Sequence, residues 1–466
     1  MKHIYSGGLI LGGLVVATLL WQQSPGTDRP NPFTPRPSDP ALNLPRTAID
    51  TADPSPTPTP TPTLAVLPLD PDLQAAVNTY MERLTTQGMD TNLQAVWVES
   101  SEGRSGGYQA DVALPAASLT KMATTLLALE RWAADYRFFT RIATTGPVVE
   151  GVLQGDLVVL GGADPFYVWE SAIALGNRLN TLGISQVAGN LVIDADPIFV
   201  MNFERDRSLA GELLRQGLDA RLWGWEAIQQ FQTLPTGTPE PQVEIQGGVV
   251  VRSVPERDTL QVLVTQPSLP LVDLLKEMNK FSNNIMADLL ADLLGGGAVL
   301  TQEVQAITQI PAEEITLING SGLGPENQIS ARGVCRILNY IAQQLEPQGL
   351  GLSDVMPIAW QDAGTLDNRD LPTGTIAKTG TLWNVSTLGG LVPQGNSPAD
   401  SLDRQPSLCF AILNQGVDLD LFRSQQDGLL AEFKQLLQPD PSASPQTVLP
   451  EAATGTLSST ATEQLP

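Results

Sequence analysis

The sequence predicts an α+β fold in which an antiparallel sheet is flanked by helices and one smaller lobe is inserted. One strand-like run, residues 93–99, comes early in the chain, and three more, at 374–378, 385–392 and 407–414, follow a helical middle. Strands from the two ends would therefore meet in one sheet, with the terminal helices on one face and the central helices on the other. Between about residues 140 and 264, short apolar runs separated by glycine-rich turns predict the inserted lobe.

The helices are predicted from apolar periodicity and from capping residues. Asp70 is a good N-cap and a proline follows it, so a helix is expected from there to about residue 86. A second, apolar helix begins at Ser118. The remaining predicted elements are, in chain order, a strand at 140–145, a glycine-rich stretch at 151–164, a helix at 171–182, a strand at 187–193, a helical pattern from 270 to 294 with a break at 281–284, and a final helix at 419–437.

The first segment, residues 1–24, is predicted to be a signal anchor or, alternatively, a cleaved signal peptide. Lys2 precedes an uncharged, mostly apolar run at residues 5–21. No small-residue cleavage site follows this run, which favours the anchor. Either alternative places the rest of the chain outside the cytoplasm.

Two other segments flank the predicted body, residues 64–438. Residues 25–63 form a proline-rich linker, which is expected to adopt a semi-rigid polyproline II conformation. Residues 439–466 lack aromatic and basic side chains and are expected to be a disordered tail.

The charge and the rare residues exclude several classes of function. The chain carries 26 Lys+Arg against 50 Asp+Glu, a net charge of −24, and so lacks the basic surface that nucleic acid requires. Its one histidine, His3, lies in the leader, which excludes a Ser-His-Asp triad and a histidine-ligated zinc site from the body. Acid–base chemistry would then fall to lysine, tyrosine or carboxylate side chains.

Five residues that could suggest a further site are interpreted as structural. Cys335 and Cys409 are predicted to be buried, unpaired small apolar side chains, because free cysteine is usually buried. Asp194 and Asp196 alternate as metal ligands can, but no third ligand is in register, so a solvated strand end is predicted. Asp164 is expected to shape a loop. No metal or cofactor is therefore predicted.

The first chemical motif is Ser118-Leu119-Thr120-Lys121. Residues three apart on a helix share a face, so the Lys121 amine can reach the Ser118 hydroxyl. Serine is a weak nucleophile that needs a base, and without histidine a lysine is the available one. A serine at a helix N-terminus also has backbone N–H groups near any oxyanion formed there. Alone, this spacing is equally typical of an ordinary N-capped helix.

The second motif, Ser282-Asn283-Asn284, lies in the break between two helical stretches. A hydroxyl and an amide two residues apart in such a turn can both face a cleft, where one can relay a proton and the other can hold a substrate carbonyl. Alone, the motif is weak evidence, because Ser and Asn favour turns and caps for local reasons.

The third motif, Lys378-Thr379-Gly380-Thr381, closes a strand-like run. A fixed cation there can bind a carboxylate, and the threonine hydroxyls can hold a substrate. Glycine allows the substrate backbone to approach closely. A strand followed by a polar turn is the common structural alternative.

Together the three motifs resemble the signature of the penicillin-recognising serine acyl enzymes, S-x-x-K, S-x-N and K-T-G in that order. Ser118 and Ser282 are 164 positions apart, and Ser282 and Lys378 are 96 positions apart. Other segments are similar to the D-alanyl-D-alanine carboxypeptidase/endopeptidase family related to penicillin-binding protein 4. They are GVLQGDLVVLGGADP at 151–165, GNLVID at 189–194, MNKFSNNIMAD at 278–288, GSGL at 320–323 and AGTL at 363–366. The resemblance implies the penicillin-binding/serine β-lactamase-like transpeptidase fold.

The resemblance also implies catalytic roles for three residues. Ser118 would be the acylated nucleophile and Lys121 its general base, while Ser282 would shuttle a proton. Lys121 must be neutral to accept a proton, and burial beside Lys378 would lower its pKa in that direction.

Substrate binding is implied for the remaining motif residues. Asn284 would hold the substrate amide, and Lys378 would bind the terminal carboxylate. Thr379, Gly380 and Thr381 would line the opposite wall, and the backbone N–H groups of Ser118 and Thr381 would form the oxyanion hole.

Two positions depart from the family pattern. Asn283 stands where many relatives have Asp, which should matter little because that side chain is not needed in the cleft. Gly324 follows the GSGL segment where relatives often have Ser.

The function implied is that of a serine-type D-Ala-D-Ala carboxypeptidase, or a DD-endopeptidase, acting on peptidoglycan stem peptides. β-Lactam antibiotics would be covalent inhibitors, and the body would lie in the periplasm, anchored to the inner membrane. The alternative is a catalytically silent, membrane-tethered cell-wall-binding or scaffold protein of the same fold. The three intact motifs favour the enzyme, and a β-lactamase-like hydrolase is a more distant alternative.

Overall fold

A computed structural model describes residues 68–255, 257–395 and 406–437, so the predicted leader, linker and tail lie outside the described residues. The helices are α1 (Pro71–Thr86), α2 (Thr120–Arg131), α3 (Trp169–Thr181), α4 (Arg207–Leu218), α5 (Trp225–Thr233), α6 (Leu271–Lys280), α7 (Asn284–Leu294), α8 (Gly297–Thr308), α9 (Ala331–Leu345), α10 (Leu352–Val355) and α11 (Leu419–Leu436). The strands are β1 (Gln94–Ser100), β2 (Ser105–Tyr108), β3 (Ala113–Pro115), β4 (Phe139–Thr144), β5 (Val148–Val149), β6 (Val152–Leu153), β7 (Leu157–Leu160), β8 (Gln186–Val187), β9 (Leu191–Asp194), β10 (Glu244–Ile245), β11 (Val249–Arg252), β12 (Gln261–Pro267), β13 (Ile315–Thr316), β14 (Gln328–Ser330), β15 (Ile376–Leu382), β16 (Val385–Pro393) and β17 (Ser407–Gln415).

The main sheet joins strands from the two ends of the described chain. Its order is β15-β16-β17-β1-β2, and all its pairs are antiparallel. β1 pairs along its whole length with β17, from Gln94 opposite Asn414 to Ser100 opposite Leu408. Both strands are almost completely buried, as strands covered on two faces must be. The predicted α+β fold, with an antiparallel sheet built from the two ends of the body, is confirmed, and the body adds a small antiparallel sheet of order β13-β14-β3.

Helices cover both faces of this sheet. On one face α1 and α11 form an apolar cluster with the sheet that includes Val77, Tyr80, Phe410 and Phe422. On the other face α2 and α9 pack on the sheet and on the central helices α6–α8. The turn that precedes α2, where Ser118 lies, is therefore fixed between the sheet and the central helices.

α7 and α8 belong to the core of the body. Leu289, Leu290 and Leu300 are completely buried in its largest apolar cluster. In the part of the chain that the structure describes, no single helix is long and apolar enough to cross a membrane, and α7 and α8 reach that length and composition only as a pair bent by 75°.

The chain between β4 and β12 forms a lobe with sheets of its own. A five-stranded sheet has the order β11-β9-β7-β4-β12, and a four-stranded sheet has the order β10-β8-β6-β5. The lobe has a separate apolar cluster, in which Leu157 and Leu191 of the sheet pack with Ile173 of α3 and Leu214 of α4. Helices α4 and α5 are not among the elements predicted from the sequence.

The prediction of unpaired cysteines is wrong. Cys335 on α9 and Cys409 on β17 form a disulfide whose Cα atoms are 5.9 Å apart, a separation typical of such bonds. The two residues are 74 positions apart, so the sequence pattern does not reveal that the fold brings them together. The bond ties α9 to a central strand of the main sheet.

Asp194 is not solvated, contrary to the prediction. Its side chain is completely buried, accepts a hydrogen bond from the Val254 N–H at 3.1 Å and forms an ion pair with Arg257. Asp164 does shape a loop, because its Oδ1 accepts from the Phe166 N–H at 2.9 Å.

Candidate active site

Ser118 lies on a strained turn just before α2. The turn Ala117–Leu119 is a short 3₁₀ segment, and Ser118 is partly exposed while the residues on both sides of it are buried. Ala117 has a φ of 47°, a left-handed conformation that costs a residue with a Cβ about 1–2 kcal/mol. Close packing holds it: a Cβ at Gly322 would lie 1.8 Å from the Ala117 carbonyl oxygen. The fold thus fixes the turn so that the serine hydroxyl faces the cleft.

The Lys121 amine is surrounded by three oxygen atoms. The side chain is completely buried, and its Nζ lies 3.0 Å from Ser118 Oγ, 2.7 Å from Asn284 Oδ1 and 2.7 Å from the Ser321 carbonyl oxygen. A neutral amine has two N–H groups and one lone pair. Because an amide oxygen and a backbone carbonyl can only accept, they take the two N–H groups. The lone pair is then left for the Ser118 hydroxyl, which is the arrangement that a base for this serine needs.

Electrostatics keep this amine close to neutrality. Burial lowers the pKa of Lys121 to about 7, against the effect of the Asp288 carboxylate, which raises it. Burial also raises the pKa of Asp288, against the effects of its hydrogen bond with Ser321 and of the Lys121 charge. A pKa near the ambient pH suits a general base.

The second motif forms the turn between α6 and α7. Ser282 adopts a left-handed φ of 54°, which interrupts the helical path between the end of α6 and the start of α7. Asn283 is the N-cap of α7, and its Oδ1 accepts from the Met286 N–H at 3.0 Å. Asn284 opens the helix and accepts from Lys121, while its Nδ2 has no hydrogen-bond partner among the described residues. Asn and Asp cap helices about equally well. This explains why Asn283 can stand where many relatives have Asp.

Lys378 lies in the opposite wall, on β15. It is completely buried, and its Nζ donates to Ser282 Oγ at 3.0 Å and to the Thr379 carbonyl oxygen at 2.7 Å. Burial, and secondly the charge of Lys121, lower the pKa of Lys378 well below its ordinary value. Both recorded partners are neutral oxygens, so a bound anion would add the counter-charge that this amine does not receive from them.

β15 lies directly against the nucleophile turn because Gly380 has no side chain. A Cβ there would be 2.1 Å from Thr387 Oγ1 and 3.0 Å from Ser118 N. The sequence pattern predicts that the third motif closes a strand, but β15 continues to Leu382, so the motif lies inside the strand. Thr379 and Thr381 are more exposed than their neighbours and share one face of the strand.

The structure therefore places the predicted site residues in one cleft. Lys121 contacts Ser118 and Asn284, Lys378 contacts Ser282, and Gly380 packs beside Ser118. Their individual roles stay predictions.

Two participants were missed by sequence reasoning. The Ser321 carbonyl belongs to the GSGL segment, but a backbone oxygen carries no signal in its side chain. Asp288 lies four residues after Asn284 and therefore on the same face of α7, so its position was readable from helical spacing.

Comparison with known proteins gives a consistent family. A sequence model described as "D-Ala-D-Ala carboxypeptidase 3 (S13) family" matches residues 73–204 and 233–432. The D-alanyl-D-alanine carboxypeptidase of Actinomadura sp. (strain R39) is 27% identical over 307 residues, which cover 59% of this chain and 51% of that protein. Carboxypeptidase Rv3627c of Mycobacterium tuberculosis is 25% identical over 389 residues, covering 74% of this chain and 78% of that protein. The chain thus matches about half the length of the Actinomadura relative.

Solved structures share the fold. Penicillin binding protein 4 of Haemophilus influenzae superposes with a TM-score of 0.57 at 19% identity, covering 77% of this chain and 99% of that one. The Bd3459 predatory endopeptidase of Bdellovibrio bacteriovorus superposes with a TM-score of 0.59 at 22% identity, covering 74% of this chain and 93% of that one.

Proposed function

The chain belongs to the D-Ala-D-Ala carboxypeptidase 3 (S13) family, and from that premise we propose that it is a serine-type D-Ala-D-Ala carboxypeptidase acting on peptidoglycan stem peptides. The single observation that carries the proposal is the Lys121 amine, which is buried, has a pKa of about 7 and lies 3.0 Å from Ser118 Oγ. A protein that only bound the cell wall would have no need for a neutralised lysine beside a serine.

In the proposed acylation, Ser118 passes its hydroxyl proton to Lys121 while Oγ bonds to the carbonyl carbon of the penultimate D-alanine. The backbone N–H groups of Ser118 and Thr381 stabilise the oxyanion. The C–N bond then breaks, and the proton that Lys121 took from Ser118 passes through Ser282, held by Lys378, to the departing amine of the terminal D-alanine, so that Lys121 is neutral again. Water subsequently hydrolyses the ester and restores the Ser118 hydroxyl.

Lys378 is the proposed reader of the terminal carboxylate. A free carboxylate distinguishes the end of a stem peptide from an internal peptide bond, and an ammonium in a buried wall binds it strongly. The Asn284 Nδ2, which has no partner among the described residues, is available to hold the substrate carbonyl beside Lys121.

Cleavage of D-Ala cross-links is proposed as a second activity of the same site. It requires the same acyl donor and differs only in the amine that leaves. Solved proteins of this fold include predatory endopeptidases of Bdellovibrio bacteriovorus.

We propose further that the enzyme works in the periplasm, anchored to the inner membrane by residues 1–24. The apolar run after Lys2 supports this location, as does the disulfide, since such bonds persist in oxidising compartments. The linker, at ~3.1 Å per residue, would allow the body to reach roughly 100 Å from the membrane. Fractionation tests it: the full chain should sediment with membranes, and a chain lacking residues 1–24 should not be exported.

The activity is tested with a stem pentapeptide and a cross-linked dimer as substrates. Purified protein should release D-alanine from the pentapeptide, and penicillin should block the release while adding its own mass to the protein. Absence of both the release and the mass increase would refute the enzyme and favour the scaffold alternative. Cleavage of the dimer decides the endopeptidase activity.

A further inference from the structure

Asp288 lies one helical turn after Asn284, on the same face of α7. Its Oδ1 accepts a hydrogen bond from the Ser321 N–H at 2.8 Å. The carbonyl oxygen of the same Ser321 accepts from Lys121 Nζ at 2.7 Å. One backbone residue thus connects the Asp288 carboxylate with the Lys121 amine.

The Ser321 segment is held from two sides. The Gly320 carbonyl oxygen accepts from Thr124 Oγ1 on α2 at 2.9 Å. On the side of α7, a Cβ at Gly320 would lie 2.4 Å from the Ala287 carbonyl oxygen, so the segment packs directly on the helix that carries Asp288. The position of the Ser321 carbonyl is therefore set jointly by α2 and α7.

Four charged groups act on this part of the cleft. The Asp288 carboxylate faces Lys121 from α7. The charge of Lys121 in turn acts on Lys378 in β15 and lowers its pKa. Arg205 reaches α7 from the lobe, where it pairs with Asp292 and acts on Asp288. Of these groups, Asp288 is the one whose charge favours the protonated form of Lys121.

We propose that Asp288 is a positioning residue for the catalytic base: it holds the Ser321 carbonyl on the Lys121 amine, and its negative charge stabilises the ammonium that forms when Lys121 takes the Ser118 proton. The inference rests on the proposed function and deepens it. A base that is oriented by a third group follows the logic of a nucleophile–base–acid triad, here with a backbone residue between base and carboxylate. During acylation the Ser118 O–H bond breaks, the Lys121 N–H bond forms, and no proton moves to Asp288.

The test compares Asp288→Asn and Asp288→Ala with the wild type. Asn keeps an oxygen that can accept from the Ser321 N–H and removes the charge, whereas Ala removes both. Loss of a nearby opposite charge lowers the pKa of a lysine by about 1 unit or more. The readout is the rate of acylation by a fluorescent penicillin as a function of pH, which falls on the acid side (the acid limb) and is level at high pH (the plateau). In Asp288→Asn the acid limb should therefore lie about 1 pH unit lower than in the wild type. The plateau rate should fall about tenfold, because the base is weaker. The plateau of Asp288→Ala should fall further.

The matched control is Asp273→Asn, which removes the same charge from an exposed position on the neighbouring helix α6. It should leave both limb and plateau unchanged. A second readout does not depend on activity: NMR titration of ¹³C-labelled lysine Cε follows Lys121 directly, and with six lysines in the chain its signal is assigned from its absence in Lys121→Arg.

The outcomes separate the inference from the function on which it rests. If the wild type is not acylated, the proposed function fails, while the NMR titration still reports whether Asp288 raises the pKa of Lys121. If the wild type is acylated and both Asp288 variants lose rate at every pH with an unmoved limb, Asp288 is only structural and the inference is overturned. An unmoved Lys121 titration in Asp288→Asn overturns it as well.

Discussion

Two completely buried lysines line the cleft, and their surroundings differ in one respect. Lys121 has the Asp288 carboxylate close by, and its pKa is lowered only to about 7. Lys378 contacts two neutral oxygens and feels the charge of Lys121, and its pKa is lowered well below the ordinary value. Burial lowers the pKa of both lysines, and the neighbouring charges act in opposite directions: Asp288 raises the pKa of Lys121, and Lys121 lowers the pKa of Lys378.

This difference explains how one cleft can hold two lysines with opposite tasks. The base needs a permanent, partial counter-charge, because it must be neutral before it takes the proton and cationic afterwards. The carboxylate reader needs a counter-charge that arrives with the substrate. The low pKa of Lys378 should therefore rise when a carboxylate binds, and the substrate would complete the charge balance of the site.

The largest expected effect comes from removing the nucleophile that Lys121 serves. Ser118→Ala should abolish covalent labelling by penicillin, because no other hydroxyl is within 3.0 Å of the Lys121 amine in the described residues. Mass spectrometry of the labelled wild-type peptide should place the adduct on Ser118, and thermal denaturation should show that the variant remains folded. An adduct on Ser282 or Ser321 would contradict the assignment of both lysines.

Removing the base should have the next largest effect. Lys121→Ala should lower the acylation rate by about 10²–10⁴-fold, the contribution of a positioned general base. Lys121→Arg should not restore it, because a guanidinium stays protonated at neutral pH. Stopped-flow labelling measures both rates. A near-normal rate in either variant would assign the base to another group.

Lys378→Ala tests the opposite side of the comparison. Truncating one partner of a desolvated charge pair costs about 2–4 kcal/mol, so turnover of a stem peptide with a free carboxylate should fall sharply. Amidation of the same peptide should impair the wild type strongly and add little in the variant. The kcat/KM values of the two proteins with the two substrates form the double-mutant cycle. Equal losses on amidation in both proteins would show that Lys378 does not read the carboxylate.

Much of this site was predictable because its groups lie in short sequence motifs. Ser118 and Lys121 are one helical turn apart, and the antiparallel sheet follows from strand-like runs at the two ends of the body. The disulfide was not predictable, because it joins a helix and a strand that only the tertiary fold brings together. The same holds for the Ser321 carbonyl, since a backbone oxygen reaches Lys121 across 200 residues without any signature of its own.

The pH dependence of acylation tests one side of the comparison between the two lysines, the titration of Lys121. This base works in its neutral form, and its pKa of about 7 means that the neutral fraction decreases as the pH falls below that value. The acylation rate should therefore be level above pH 8 and decrease about tenfold for each pH unit well below 7. β-Lactam labelling from pH 5 to 9 measures the profile. A rate that is independent of pH below 6 would show that Lys121 does not titrate in the active form.

The smallest expected effect concerns Asn283, which lies between the two residues that serve the two lysines. Ser282 contacts Lys378 and Asn284 contacts Lys121, whereas Asn283 caps α7 by accepting from the Met286 N–H. Asn283→Ala should cost about 1 kcal/mol of unfolding free energy, the usual loss for an N-cap, and Asn283→Asp should cost little, because both side chains accept the Met286 N–H. Urea denaturation measures the stabilities, and kcat/KM with the acid and amide peptides measures the cleft. Since the cap fixes the start of the helix from which Asn284 extends, the Ala variant should lose a few-fold in kcat/KM on both substrates alike. A loss confined to the acid substrate would mean that the turn acts on Lys378 and leaves Lys121 in place.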